Sequence, residues 1–148
     1  MPGECNPFKR VTHIPSAYDN RRGSVIVDTD KGVLLVSSSG GYYRLPGGKP
    51  KKGEASIEAS IRELREETGL RAYNVGYLFR FHKSKVFRIR AKGVPVPSSE
   101  INYFAFFEPG KEMEVKVSHN TIKILEVYYG LKKLEKMHKS NLKAQKQF

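Results

Sequence analysis

Along this chain apolar residues first cluster in short strand-length runs and only later recur at helical spacing. Gly23 to Val27 and Gly32 to Val36 are rich in Val, Leu and Ile and predict two strands; Asp28, Thr29, Asp30 and Lys31 between them read as the turn of an antiparallel hairpin. Tyr42 to Leu45 predicts a further short strand running into Pro46, Gly47 and Gly48, where regular structure should stop and unusual backbone angles become available. From Ala55 to Thr68 the period changes: Ile57, Ile61 and Leu64 recur at steps of four and three, the mark of a helix with one buried face, and Gly69 stands at its C-terminal stop.

Strand patterns return at Ala72 to Phe81, Lys85 to Ala91 and Ile101 to Phe107. In the middle one Phe87, Ile89 and Ala91 alternate with Arg88, Arg90 and Lys92, which predicts one apolar and one basic face. A second helix is expected from about Thr121 to Lys139, N-capped by Ser118 or Asn120, with Ile122, Leu125, Tyr129, Leu131 or Lys132, and Leu134 near its inner stripe. The polar, basic stretch from Ser140 to Phe148 reads as a frayed, flexible tail. Strands, a helix, more strands and a final helix predict a single α/β domain over residues 1–148, with mixed or antiparallel pairing and helices on both faces of the sheet.

Composition narrows the class. A length of 148 residues suits one domain, and 39% hydrophobic with 28% charged residues excludes a disordered or fibrous chain. The single cysteine, Cys5, cannot close an internal disulfide, and no Cys/His spacing suggests zinc, as expected of a reduced intracellular protein. Met1 to Arg10 lacks the apolar core of a signal peptide, and no downstream run reaches the length of a membrane span, so a cytoplasmic location and no membrane partner are expected. The net charge of +12 points to an anionic partner, whether polyphosphate, nucleic acid or acidic membrane surface, or simply serves solubility.

The candidate chemistry lies on the first helix. Glu63, Glu66 and Glu67 stand at i, i+3 and i+4, so their carboxylates emerge close together on the side away from Ile57, Ile61 and Leu64. Such crowding destabilises a helix by a few tenths of a kcal/mol per pair, which a hard divalent cation would reverse. The plainer reading is an exposed helix face on which Arg62 and Arg65 pair with the glutamates. The turn at Gly47 and Gly48 adds weight to the first, because glycine backbone can bring carbonyl or N–H groups close to a metal or phosphate.

The segment GKPKKGEASIEASIRELREETGL, from Gly48 to Leu70, resembles the box that marks the Nudix hydrolase family: Gly, five residues, Glu, seven residues, Arg, Glu, an aliphatic, any residue, Glu, Glu, any residue, Gly, an aliphatic. Gly48, Glu54, Arg62, Glu63, Leu64, Glu66, Glu67, Gly69 and Leu70 fill every specified place. The resemblance implies an α/β/α sandwich with a mixed central sheet and a hydrolase acting on a phosphoanhydride in a nucleoside diphosphate linked to another moiety. It implies Mg²⁺, with Mn²⁺ as a substitute, held by Glu63, Glu66, Glu67 and the Gly48 carbonyl, with Glu54 and Arg62 supporting the site. Glu63 is the first candidate general base within the box; Glu108, Glu112 and Glu114 are candidates outside it.

Arg88 and Arg90, and a stacking tyrosine, Tyr43 beside Tyr42, are the candidate substrate contacts. The expected partner is a small anionic phosphate compound, a nucleoside triphosphate or dinucleoside polyphosphate before others. The run VLLVSSS from Val33 to Ser39, followed by LPGG, resembles diphosphoinositol polyphosphate phosphohydrolases and supplies a second reading. An RNA 5′-end pyrophosphohydrolase, or a non-catalytic domain binding nucleotide or RNA, is a third; nucleic acid is thus a possible but not the favoured partner. The lysine-rich C-terminal region, Lys132 to Lys146, reads as serving solubility or loose nucleic-acid attraction, and the sequence is silent on oligomeric state.

Overall fold

The computed structural model describes residues 21–146; Cys5 and the amino-terminal stretch discussed above lie outside them. Its strands are β1 Arg22–Ile26, β2 Asp28–Thr29, β3 Gly32–Ser37, β4 Tyr42–Tyr43, β5 Gly47–Gly48, β6 Arg71–Phe81, β7 Ser84–Lys92, β8 Tyr103–Phe107 and β9 Lys116–Val117; the helices are α1 Ser56–Thr68 and α2 His119–Lys146. The longer elements are those the patterning predicts; β9 is not among the expected strands, and Gly47–Gly48, where regular structure is expected to stop, forms β5 because its glycine backbone pairs closely with β1.

The hairpin turn at Asp28 to Lys31 forms, with Asp28 opposite Val33 and Thr29 opposite Gly32, but it joins β2 to β3 and leaves β1 out. β1 instead lies parallel to β7 and antiparallel to β5, in a four-stranded sheet ordered β5-β1-β7-β6, while β3 pairs with β8 in the sheet β2-β3-β8. The run Arg22 to Thr29 therefore belongs to both sheets, changing partners at Val27, whose carbonyl still accepts the Leu34 N–H at 3.0 Å.

That arrangement explains why β1 and β3 read as continuous apolar runs rather than alternating ones. Ile26, Val33, Leu35 and Val86 pack on one side with Ile124, Leu125 and Tyr128 of α2. Val25, Val27, Leu34, Phe87 and Ile89 pack on the other with Leu64 of α1 and Leu70. Strands covered on both faces must be apolar at every position, and burying each such Val, Leu or Ile stabilises the fold by about 1.5–3 kcal/mol. The fold is a mixed α/β sandwich with one helix on either side, as the sequence predicts.

Both helix predictions need correction. The side of α1 that meets the sheet is set less by Ile57 and Ile61, which is 37% exposed, than by Ser56, Ala59, Ser60 and Leu64, all buried. The reason is a close approach: a Cβ on Gly23 of β1 would fall 1.9 Å from Ser60 Oγ and 2.8 Å from the Ser56 carbonyl, so only small side chains fit there. The two hydroxyls are satisfied locally, Ser56 Oγ donating to the Arg21 carbonyl at 2.6 Å and Ser60 Oγ to the Ser56 carbonyl at 2.8 Å. For α2, Ser118 is the cap, its Oγ accepting the Thr121 N–H at 3.4 Å. The helix does not stop at Lys139; Ser140 to Lys146, expected to fray, continue it.

Candidate functional site

α1 begins without a side-chain acceptor at Ala55, but Glu58 Oε1 reaches back to the Ala55 N–H at 3.1 Å, half of a capping box. It ends at Gly69, left-handed with φ 77°, whose N–H bonds the Arg65 carbonyl at 2.8 Å. Between these ends the three glutamates occupy a gradient of burial: Glu67 is 2% exposed, Glu63 19% and Glu66 53%. They do not all lie away from the sheet, as spacing alone suggests. Glu67 points inward, toward the turn at Pro46 and Gly47.

Each end of this gradient has its own cation. Glu67 Oε1 accepts the Gly47 N–H at 2.8 Å and Oε2 accepts Arg44 NH2 at 2.7 Å. Burial pushes the Glu67 carboxyl above its ordinary range, while Arg44 and the Gly47 amide pull it back. On the outer side Arg62 is the hub. Its Nε and NH2 hold Glu54 with two parallel bonds of 2.8 and 2.9 Å, while NH1 reaches Glu63 at 2.7 Å and Glu66 at 3.1 Å. NH2 also donates to the Lys49 carbonyl at 3.3 Å. The guanidinium holds Glu54 down to about 2, well below the ordinary carboxylate value. The plainer reading of the cluster, ion pairing with Arg62, is thus met in this structure.

A Cβ on Gly48 would lie 2.7 Å from Glu63 Cδ and displace that side chain, so the glycine lets its backbone abut the carboxylate directly. The donor set matches the oxygen preference of a hard divalent cation. As arranged, with Arg62 and Arg44 holding the carboxylates, no three acidic, His or Cys side chains among the described residues form a ready metal-holding group.

Beside this cluster opens a cleft of about 430 Å³. Arg22, Arg44, Lys83 and His82 line it, with Leu45, Phe81 and Ile124 as apolar wall and Ser118, Asn120 and Thr121 from the start of α2. Arg22 NH2 is fixed to the Gly47 carbonyl at 3.2 Å, and burial, then the neighbouring Arg44, lower the tendency of its guanidinium to hold its proton. Arg44 thus touches Glu67 and also lines the cleft. Arg22 and Arg44 were missed at the level of sequence because nothing in their local pattern separates them from other surface arginines; only the strand pairing brings them to Gly47.

The residues singled out for substrate contact lie elsewhere. Tyr43 is 6% exposed and belongs to the α2-side core, which takes its ring out of reach of a stacking base; Tyr42 is 67% exposed, with Lys116 Nζ 5.9 Å from its ring. Arg88 faces α2, its Cζ 6.0 Å from the Tyr128 ring centre, and Arg90 is exposed farther along β7; neither lines the cleft. Lys85, from the same basic segment, is buried, and only Lys83 reaches the cleft. Among the described residues no hydrogen bond or ion pair joins Glu108, Glu112 or Glu114 to the α1 glutamates; Glu108 pairs with Lys111 at 2.9 Å. No helix of the described residues is long and apolar enough to cross a membrane.

Comparison with known proteins agrees with this geometry. The family model for the NUDIX domain matches residues 18–148. The Bacillus subtilis protein YvcI, an uncharacterized Nudix hydrolase, is 40% identical over 58 residues, 38% of this chain and 37% of that protein, so the match spans little more than a third of its length. A crystal structure of a nudix hydrolase family member from Chromobacterium violaceum is 36% identical, with a TM-score of 0.70 over 85% of this chain and 87% of that one. The Bacillus subtilis pyrophosphohydrolase BsRppH, at 21% identity, shares the fold with a TM-score of 0.60 over 80% of this chain and 84% of its own. With the box running from the turn at Gly48 through α1 and Glu63 set against Gly48, the chain belongs to the Nudix hydrolase family, whose members act on phosphoanhydride-containing substrates and generally use divalent metal ions.

Proposed function

We propose that the protein is a Mg²⁺-dependent pyrophosphohydrolase of a nucleoside triphosphate or dinucleoside polyphosphate. The observation that carries this reading is Arg44, bonded to Glu67 at 2.7 Å and lining the cleft, so that an anion bound there adjoins the carboxylate helix. The cleft offers Arg22, Arg44 and Lys83 for phosphates and Leu45, Phe81 and Ile124 for an apolar ring face, the two halves of a nucleotide.

Glu63, Glu66, Glu67 and the Gly48 carbonyl are the groups that would hold Mg²⁺, or Mn²⁺ in its place. When bound, the ion supplies neutralisation of the phosphate charge and activation of the attacking water. Glu63 receives the water's proton as the water oxygen attacks phosphorus and the bridging P–O bond breaks. Arg62 acts as a positioning residue: anchored on Glu54 by two bonds, it holds Glu63 and Glu66 in the orientation a cation requires. Arg44 does the same for Glu67, and Arg22 and Lys83 draw the departing phosphates into the cleft.

The test is release of phosphate or pyrophosphate with and without Mg²⁺, across nucleoside triphosphates, dinucleoside polyphosphates, ADP-ribose, nucleotide sugars, an inositol pyrophosphate and 5′-triphosphate RNA. Metal-dependent turnover of the first two classes supports the proposal. Preference for the inositol pyrophosphate or RNA replaces the substrate, and silence across the panel with nucleotide binding retained replaces catalysis by binding.

A further inference from the structure

The carboxy-terminal half of α2 has no part in the fold described so far. The helix has 28 residues, about 42 Å at 1.5 Å per residue. Its buried side chains, Thr121, Ile124, Leu125 and Tyr128, all lie in its first part. From Tyr129 to Gln145 none is buried; Tyr129, Leu131, Lys132, Glu135 and His138 are partly covered and the other side chains of that stretch are exposed. Lys132 marks the boundary: its Nζ and the Tyr128 hydroxyl both donate to Asp28 Oδ2 at 2.7 Å, which fastens α2 to β2 at that point.

Beyond it the helical period sorts the residues. Leu125, Tyr128, Lys132, Lys136, Lys139 and Lys143 follow one another at steps of three and four and therefore share one row. The row that packs on the sheet becomes, from Lys132 onward, a row of lysines. From Lys132 to Lys143 it is about 17 Å long. Glu135, paired with Lys139 at 3.2 Å, is the acidic residue in this half of the helix. Leu134 and Met137, each 53% exposed, and Leu142, 43%, fall on a different side. On the sheet face below, Arg88 is set against Tyr128, and Arg90 follows on the same side of β7.

We propose that this basic row is a docking site for the phosphate backbone of single-stranded nucleic acid. A row of cations at helical intervals, in which Lys132 pairs with Asp28 and Lys139 with Glu135 while Lys136 and Lys143 are exposed beside them, complements a chain carrying one charge per nucleotide. A second copy of this chain would oppose like charges. A flat acidic membrane would need the lysines flanking the apolar side chains, whereas here the lysine row continues the sheet-facing side of α2, toward the basic face of β7. The inference does not depend on which phosphoanhydride is cleaved.

The experiment is fluorescence anisotropy of a labelled single-stranded RNA of about 20 nucleotides against the full chain, from 50 to 200 mM salt, where single-strand phosphate contacts each contribute a slope of about −0.7. The variant Lys136→Gln/Lys139→Gln/Lys143→Gln is compared with Lys31→Gln/Lys111→Gln/Lys123→Gln, which removes the same charge elsewhere. The row variant is expected to lower the salt slope by about 2 and the affinity near 0.15 M roughly 50-fold. Its circular dichroism and its hydrolysis of a mononucleotide should match those of the unmodified chain, so the outcome is separable from that of the catalytic proposal. Equal losses in both variants, unchanged binding in the row variant, or capture by phosphatidylserine vesicles in place of RNA would each overturn the assignment.

Discussion

Arg44 and Glu67 meet across 23 residues of sequence, guanidinium NH2 to carboxylate Oε2 at 2.7 Å, with the arginine side chain 38% exposed and the glutamate 2%. The pair joins the outside of the cleft to the inside of the carboxylate helix. Removing the arginine leaves a buried carboxylate with the Gly47 amide as its remaining partner.

Arg44→Met is therefore expected to destabilise the protein by about 1–3 kcal/mol, the lower range for a buried group losing one charged partner that is itself partly in water. Urea titration reads this as a lower midpoint at unchanged slope. A midpoint equal to that of the unmodified protein would show that Glu67 does not depend on Arg44.

Glu66 is the most exposed of the three glutamates, and it accepts a bond from Arg62 at 3.1 Å. Glu66→Gln should leave thermal stability within about 0.5 kcal/mol while removing most Mg²⁺-dependent turnover. A variant with an unchanged rate would remove Glu66 from the proposed ligand set.

Gly48→Ala and Gly23→Ala separate chemistry from packing. The first places a methyl against the Glu63 carboxyl and should lower turnover and raise the Mg²⁺ concentration needed for half-maximal activity. The second drives a methyl into Ser60 and the α1 backbone and should cost about 1–3 kcal/mol through overpacking. Parallel activity and melting measurements distinguish them; equal stability losses with no difference in metal dependence would contradict the assignment of Gly48.

Acid sensitivity follows from Glu54. Its carboxyl titrates at about 2 in the fold against an ordinary 4.5, so the folded state binds this proton more weakly than the unfolded chain does. The stabilisation is present above about pH 4.5 and is lost as pH falls toward 2. Glu54→Gln should flatten the decline of stability across that window, and a variant that loses stability with acid as steeply as the parent would show that other groups govern it.

Much of the fold was legible because its signals are local. Period and punctuation mark α1 within a residue, and the apolar runs of β1 and β3 mark strands. Which strands pair is a long-range matter: Gly23 lies beside Gly48 and Lys85 through contacts that no window of sequence contains. The box residues were legible for a similar reason, since they sit on one helix and the turn before it. Arg22 and Arg44 reach the site from β1 and from the segment after β4, and an isolated arginine carries no pattern. Tyr43 failed as a stacking candidate because aromatic residues in strands serve a core as readily as a ligand.

Val25 and Ile26 are neighbours in the chain, yet one packs toward α1 and the other toward α2. Consecutive codons in β1 thus act on opposite sides of the molecule, one behind the carboxylates and one behind the cleft's far wall. Variation can tune the two sides separately by substitution, but not by insertion or deletion: a single-residue insertion within the strand would exchange its α1-facing and α2-facing side chains and unmake both layers together.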